Sequence, residues 1–213
     1  MSRIDKKFAG LDALCKYYQE LGIKASVISD KSADAVEKGL IKQDKGYIKV
    51  TGRDFDLVTI RIKGTTSGSY SMGKVSGVDM ASKQKIPIEY HHIVRADFSD
   101  EKTMKAVLKK KRKGITGKEV TEVSWEGGQL ATLLNSNAVL NTSIMKFIEH
   151  QDSIKVEPDK KNKIIRIVFS RPSEIKSGLV FGFKFNRNLL PRESIEVIDK
   201  IAGLALKNAS GKR

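Results

Sequence analysis

Cysteine is nearly absent from this chain of 213 residues, in which Cys15 is the single example. One thiol cannot form a disulfide within the chain, and it cannot supply the several thiolates of a zinc or iron–sulfur site. The three histidines also lack the spacing that is typical of metal ligands. We therefore expect no metal ion and no other cofactor. A cytoplasmic location is the default expectation for a chain without disulfides.

Long apolar runs are missing as well. No stretch of the sequence approaches the roughly 18 apolar residues that a membrane-spanning helix needs. The segment that follows Met1 has no apolar core of the kind found in secretory signals. The sequence therefore predicts a soluble protein, or one that binds a membrane only at its surface.

Aromatic residues make up only 7% of the chain. They do not alternate with the basic residues, as they would on a surface that stacks the bases of a single nucleic-acid strand. Trp125, the only tryptophan, precedes Gly127 and Gly128 near the end of a predicted strand. We interpret it as a packing anchor rather than as an aromatic that stacks on a ligand.

One incomplete motif occurs in the stretch 68–75, where Gly68, Gly73 and Lys74 have the spacing of a phosphate-binding P-loop. The next position should be Ser or Thr, whose hydroxyl binds magnesium, but it is Val75. A helix should also begin at the lysine, whereas glycine, serine and proline interrupt the sequence that follows. We interpret the stretch as a turn-forming loop, and we predict that Lys74 does not bind nucleotide in the manner of a P-loop.

Positive charge is what the chain has in excess, since 40 Lys and Arg face 25 Asp and Glu and give a formal net charge of +15. Residues 1–115 carry 24 of these cations and 14 acids, so the excess lies mostly in the first half. Only ten of the cations are arginine, the residue suited to bidentate reading of bases. This favours contacts to a nucleic-acid backbone or to lipid headgroups. Abundant Lys, Glu and Asp are also typical of surface ion-pair networks in heat-stable proteins.

The positive charge is most concentrated in residues 102–118, which contain eight cations and no acid. Ser99 is a good N-cap, and the acids at positions 100 and 101 suit the first turn of a helix. Met104, Val107 and Leu108 follow at helical spacing, and Gly114 is a typical C-terminal stop. The segment therefore predicts a short helix that ends in a run of lysines.

The cations of this segment form the predicted polyanion-binding site: Lys102, Lys105, Lys109, Lys110, Lys111, Arg112, Lys113 and Lys118. Adjacent cations repel one another unless a counter-charge is nearby, which is the argument for a phosphate ligand. We expect the five consecutive cations of this set to contribute to binding and not to folding. The alternative is a surface helix whose last turn carries cations that suit the helix dipole.

His91 and His92 are neighbours on a predicted strand, so their side chains point to opposite faces and do not share a metal ion. His92 falls in line with the apolar positions of the strand, which predicts a half-buried core histidine. His91 shares the other face with Glu89 and Arg95, where a solvent-facing acid–base cluster is geometrically possible. His91 is therefore the catalytic candidate of this sequence.

The order of the predicted elements indicates an α+β fold, with antiparallel sheets and helices at both termini. We predict two small subdomains. Residues 1–115 form a basic α+β subdomain that ends in the Lys-rich helix, and residues 116–213 form a second one with a C-terminal helix that starts near Pro191. One continuous domain is the alternative.

These patterns predict a non-enzymatic binding protein whose basic surface engages a polyanion, either a nucleic-acid backbone or an anionic membrane surface. Two alternatives stay open. One is an enzyme that acts on an anionic or phosphorylated small molecule, using His91 and the loop 68–77. The other is a protein-interaction scaffold that binds neither nucleic acid nor lipid.

Overall fold

The computed structural model describes residues 5–28, 40, 46–62, 84–113, 119–175 and 190–211. Within these ranges it contains eight strands and five helices. In chain order they are α1 (Asp5–Glu20), β1 (Lys24–Ile28), β2 (Tyr47–Thr51), β3 (Leu57–Ile62), β4 (Gln84–Arg95), α2 (Glu101–Met104), β5 (Ala106–Lys113), β6 (Glu119–Gly127), α3 (Gln129–Ser136), α4 (Ala138–Met145), β7 (Ser153–Asp159), β8 (Ile164–Ile175) and α5 (Arg192–Ala209). The P-loop-like stretch 68–75, the predicted boundary near 115 and Lys118 lie outside the described residues.

All eight strands belong to one antiparallel sheet with the order β1-β2-β3-β4-β8-β7-β5-β6. The longest pairing joins β4 to β8, from Gln84 opposite Ile175 to Arg95 opposite Ile164. The predicted α+β class, with helices near both ends of the chain, is confirmed. Because β4 lies in the first half of the chain and β8 in the second, the two halves meet at the centre of the sheet. The division into two subdomains remains a prediction.

The helices pack on one face of the sheet, which we call the helical face. Apolar side chains of α1, including Cys15 and Tyr18, are buried there, and so are apolar side chains of α5, including Ile198. Tyr90 and Phe169 point to this face from the two central strands and belong to the same buried cluster. The main core of the protein therefore lies between the helices and this face of the sheet.

The opposite face carries most of the polar strand residues, and we call it the polar face. A second, smaller cluster of buried apolar residues lies on it: Ile28, Leu40, Tyr47, Leu57, Ile93 and Ile164. The register also places Thr59 and Val168 on either side of His91 on this face. Both of these neighbours are buried. The central strands are therefore buried on both faces, and not only on the helical one.

The predicted Lys-rich helix is wrong for most of its length. Helix α2 begins after Asp100, whose carboxylate accepts a hydrogen bond from the backbone N–H of Lys102 at 3.0 Å, but it ends at Met104. Residues 106–113 form strand β5 instead, and they pair with β6. In a helix the five adjacent cations would have had no acid within their own segment. In the strand, two of them lie beside glutamates of β6.

Candidate functional site

Strands β5 and β6 form a two-stranded antiparallel ribbon, by which we mean residues 106–113 and 119–127. The two strands pair from Ala106 opposite Gly127 to Lys113 opposite Glu119, with an irregularity after Lys111. On its other side, β5 pairs with β7 only at Ala106 and Val107. In the described part of the chain, the rest of the ribbon therefore has no strand partner outside itself. This part contains the run of five cations.

Lys109 and Lys111 lie on the polar face of the ribbon, and each pairs with a glutamate of β6. The Lys109 Nζ is 3.2 Å from Glu126 Oε2, and the Lys111 Nζ is 2.7 Å from Glu122 Oε2. All four side chains are more than half exposed to solvent. Exposed ion pairs of this kind contribute about 0–1 kcal/mol to stability. These lysines are therefore held only weakly by their present partners.

Lys110 lies on the helical face and has different surroundings. Its ammonium group donates hydrogen bonds to the backbone carbonyl oxygens of Glu149 at 2.9 Å, His150 at 3.0 Å and Asp152. These carbonyl groups belong to the turn between α4 and β7. Partial burial lowers the pKa of Lys110. Lys110 is therefore half-buried and bound to the protein itself, which makes it less available to a polyanion than Lys109 and Lys111.

A second cation, Arg171 of β8, holds the same turn. Its guanidinium group binds the buried carboxylate of Asp152 through two hydrogen bonds, of 2.9 Å from Nε and 2.5 Å from Nη2. The Nη2 atom also donates to the carbonyl oxygen of Phe147 at 3.0 Å, and the guanidinium carbon lies 5.5 Å from the centre of the Phe169 ring. Lys110 lies on β5 and Arg171 on β8, the strands on either side of β7. Both side chains bind the turn on the helical face.

Four more cations of the predicted set are described: Lys102, Lys105, Arg112 and Lys113. All four are exposed, and none of them forms an ion pair with a carboxylate in the ranges that the structure covers. Lys102 and Lys105 flank the start of the ribbon, whereas Arg112 and Lys113 lie at its far end. The described members of the predicted set therefore lie before and along β5, on both faces of the ribbon, and do not form a single helical end.

The histidine candidate lies on the polar face of β4. The His91 Nε2 atom is 3.2 Å from Glu89 Oε2, so the two side chains on the same face form the predicted pair. His91 is only 2% exposed and Glu89 only 5%, so the prediction that His91 faces solvent is wrong. Burial, together with the positive charge of Arg61, lowers the pKa of His91 to about 4. At neutral pH the imidazole is uncharged, and Nε2–H donates to the carboxylate.

This arrangement leaves Nδ1 of His91 as the acceptor nitrogen, and it has no hydrogen-bond partner among the described residues. A carboxylate that holds one imidazole nitrogen while the other stays open is the arrangement of a general base. A pKa of about 4 makes this imidazole a weak base near pH 7, however. The geometry therefore permits acid–base chemistry, while the electrostatic surroundings do not promote it.

The cations nearest to His91 differ from the one that the sequence indicated. Arg61 and Arg166 lie on the two strands that flank β4, and the positive charges of both lower the pKa of His91. Arg166 Nη1 also donates a hydrogen bond to Tyr47 Oη at 3.4 Å. Arg95, the expected neighbour, forms an ion pair with Asp56 at 3.3 Å. Arg166 is separated from His91 by 75 positions in the sequence. Only the pairing of β4 with β8 brings them together, so no local pattern signals the contact.

His92 lies on the helical face, as the sequence predicted for a core histidine, but it is fully and not half-buried. Its Nε2 atom is 2.8 Å from the hydroxyl oxygen of Tyr18, and its ring stands edge-on to Phe55 at 4.9 Å between centroids. Burial lowers the pKa of His92 to about 3. His92 therefore joins helix α1 to the centre of the sheet and does not form part of a site with His91.

Trp125 and the two glycines that follow it have structural roles. The Trp125 indole N–H donates to Asn141 Oδ1 at 3.1 Å, and the side chain is buried. A Cβ atom at Gly127 would lie 2.2 Å from the carbonyl oxygen of Lys105, and one at Gly128 would lie 2.0 Å from that of Lys102. The glycines thus allow the backbone of the β6–α3 junction to approach the α2–β5 segment closely.

The described residues contain no group of three or more His, Cys, Asp or Glu side chains that could hold a metal ion. No helix in the same part of the chain is long and apolar enough to cross a membrane. The comparisons with known proteins give no match: no model of a protein family, no curated protein and no solved structure resembles the chain significantly.

Proposed function

We propose that the protein is a non-enzymatic binding protein that engages a polyanion, a nucleic-acid backbone or an anionic membrane surface, through the cations of the ribbon. The observation that carries the proposal is the exposure of four cations on one strand. Lys109 and Lys111 lie on the polar face, and Arg112 and Lys113 continue the strand without a carboxylate partner in the described ranges. They follow one another at a rise of about 3.4 Å per residue.

The glutamates beside Lys109 and Lys111 do not prevent such binding. An exposed ion pair contributes about 0–1 kcal/mol, so a lysine can exchange one carboxylate for a phosphate at little cost. A polyanion also presents several charges at once, and each phosphate that is neutralised releases condensed counterions. Several weakly held cations in a row are therefore better suited to a polymer than to a single small anion.

The test is a charge substitution on the ribbon with a control of equal charge. The ribbon variant replaces Lys109, Lys111, Arg112 and Lys113 by Gln. The control variant replaces four exposed lysines of α1, β1 and α5 by Gln: Lys16, Lys24, Lys200 and Lys207. Binding is measured to a DNA duplex and to phosphatidylserine vesicles in the same buffer.

We expect the ribbon variant to lose at least tenfold in affinity for the polyanion that the wild-type chain binds, and the control to lose less than threefold. Equal losses in both variants would mean that net charge alone is responsible. Absence of wild-type binding to both probes would contradict the proposed function.

A second candidate function, an enzyme acting on an anionic small molecule, rests on the buried Glu89–His91 pair and its open Nδ1 atom. Its test uses inorganic phosphate and pyrophosphate as probes, with the imidazole resonances of His91 observed by NMR. Saturable shifts that are absent from a Glu89→Gln variant would favour a small-molecule site. The absence of shifts at millimolar probe concentrations would remove this candidate.

A further inference from the structure

The two-stranded shape of the ribbon narrows the class of polyanion. We infer that the partner is double-stranded nucleic acid and that the ribbon enters its major groove. The inference rests on the proposed function and specifies its partner. The major groove of a duplex is about 12 Å wide and admits a two-stranded antiparallel ribbon. Strand β5 has eight residues and spans about 27 Å at 3.4 Å per residue.

The outer part of the ribbon extends beyond the pairing of β5 with β7, which supports this geometry. Strand β5 pairs with β7 only at Ala106 and Val107, so within the described ranges the paired unit beyond that point is two strands wide. The turn held by Lys110 supports the ribbon on the helical face. Its polar face, with Lys109 and Lys111, stays exposed. A duplex would therefore approach the polar face and the end that carries Arg112.

An anionic membrane fits the ribbon less well. Amphipathic segments that insert into a membrane surface combine basic residues with exposed large apolar side chains, which enter the boundary between headgroups and acyl chains. The exposed large apolar residues in the described part of the chain are Val27, Leu133, Val139 and Met145. None of these four lies on the ribbon. The described apolar residues of the ribbon are buried or half-buried, and Val107 is the one among them that lies on the polar face.

A single nucleic-acid strand also fits less well, because binding without sequence preference there depends on aromatic side chains that stack on bases. The one aromatic residue among the described residues of the ribbon is Trp125. Its side chain is buried, and its indole N–H is already bonded to Asn141. The ribbon thus offers charge without a stacking surface, which suits the regular phosphate array of a duplex.

The charges of the two strands differ. This difference predicts the direction in which a charge substitution changes duplex binding. Strand β5 carries the cations, whereas β6 carries Glu119, Glu122 and Glu126. Glu122 and Glu126 contact Lys111 and Lys109, and they would repel a duplex that lies on the same face. Replacing both by Gln should therefore strengthen duplex binding, whereas a purely structural role of these pairs would leave it unchanged. Lysine predominates over arginine in β5, so binding should depend little on base sequence.

The experiment measures binding of the full chain to a 20-base-pair duplex, to one of its single strands and to phosphatidylserine vesicles, compared per anionic charge. We expect the duplex to bind at least tenfold more tightly than either other probe. The Glu122→Gln/Glu126→Gln variant should gain threefold or more for the duplex. A control variant, Glu20→Gln/Glu193→Gln, should change by less than twofold. Netropsin, which fills the minor groove, should not displace the protein.

Tighter binding to the single strand or to vesicles would overturn the inference while leaving the proposed function in place. Displacement by netropsin, or no gain in the variant that lacks Glu122 and Glu126, would overturn the placement of the ribbon in the major groove. Binding to none of the three probes would contradict both the inference and the proposed function.

Discussion

Lys110 differs in role from the lysines on either side of it, because successive residues of a strand point to opposite faces. Lys109 and Lys111 pair with exposed glutamates on the polar face. Lys110 instead donates to the backbone carbonyls of the turn between α4 and β7. Neighbouring residues in a run of like charges can therefore differ in role. Lys109 and Lys111 are available to a ligand, whereas Lys110 stabilises the turn between α4 and β7.

Replacing Lys110 by Gln should destabilise the fold by about 1–3 kcal/mol, because a charged donor is lost and partly buried carbonyl groups lose their partner. The matched control is Lys109→Gln on the same strand, for which a change within about 0.5 kcal/mol is expected. Urea unfolding of the two variants measures the difference. Equal free energies of unfolding would contradict the structural role of Lys110.

The adjacent histidines His91 and His92 make the fold sensitive to acid. Their pKa values are about 4 and about 3 in the folded chain, whereas a histidine of the unfolded chain titrates near 6.5. Between these values the unfolded state binds protons that the folded state does not. The free energy of unfolding should therefore be unaffected by these groups above pH 6.5. It should fall below that pH by about 1.4 kcal/mol per pH unit for each histidine.

The contribution of His91 can be isolated with a His91→Gln variant, whose amide can still donate to Glu89. Urea unfolding at pH 6.5, 5.5 and 4.5 should show a loss of stability that is smaller in the variant than in the wild type by about 1.4 kcal/mol per pH unit. Identical pH dependence in the two proteins would mean that His91 is protonated in the folded state, contrary to its burial.

Among the elements, those with long periodic patterns could be predicted from the sequence. Apolar residues recur at helical spacing in α1 and α5, which indicates two helices, and apolar and polar residues alternate in β3, which indicates a strand. Strand β5 could not be predicted in this way, because Met104, Val107 and Leu108 satisfy helical spacing, while the acids beside its lysines belong to β6. The solvent exposure expected for His91 and Glu89 was wrong because β4 lies at the centre of the sheet, with buried side chains on both faces.

The candidate site was predictable to the same limited extent. Glu89 and His91 are two positions apart, so a strand places them on one face whatever its neighbours are. The proximity of Arg166 depends on the register between β4 and β8, which no local pattern encodes.

The junction between β6 and α3 gives a prediction about backbone packing. Gly127 has a φ of +146°, and a methyl group there would lie 2.2 Å from a backbone oxygen of Lys105. Gly127→Ala should therefore lower the free energy of unfolding by about 2–4 kcal/mol, because it combines an unfavourable φ with overpacking against the backbone. Gly22, with a φ of +77° and open space around it, is the control and should cost about 1 kcal/mol on substitution by Ala. Similar losses of thermal stability in the two variants would show that the close approach is relieved at little cost.

In the whole molecule, the sheet places the ribbon and the Glu89–His91 pair on the same polar face. His91 is opposite Val168, which is opposite Lys155, and Lys155 is opposite Val107 of the ribbon. Three strand spacings separate His91 from Val107, which corresponds to roughly 14 Å. The net charge of +15 attracts any polyanion to the molecule as a whole. In the proposed function, by contrast, the polyanion contacts four cations of β5: Lys109, Lys111, Arg112 and Lys113.

The salt dependence of duplex binding separates these two contributions most directly. The logarithm of the binding constant should fall with the logarithm of the salt concentration, by about 0.9 for each phosphate that is neutralised. For the variant that replaces Lys109, Lys111, Arg112 and Lys113 by Gln, the slope should be shallower than that of the wild type by about 3–4. The control that replaces four lysines of α1, β1 and α5 should keep the wild-type slope within about 1. Equal slopes in the two variants would contradict the assignment of the contacts to the ribbon.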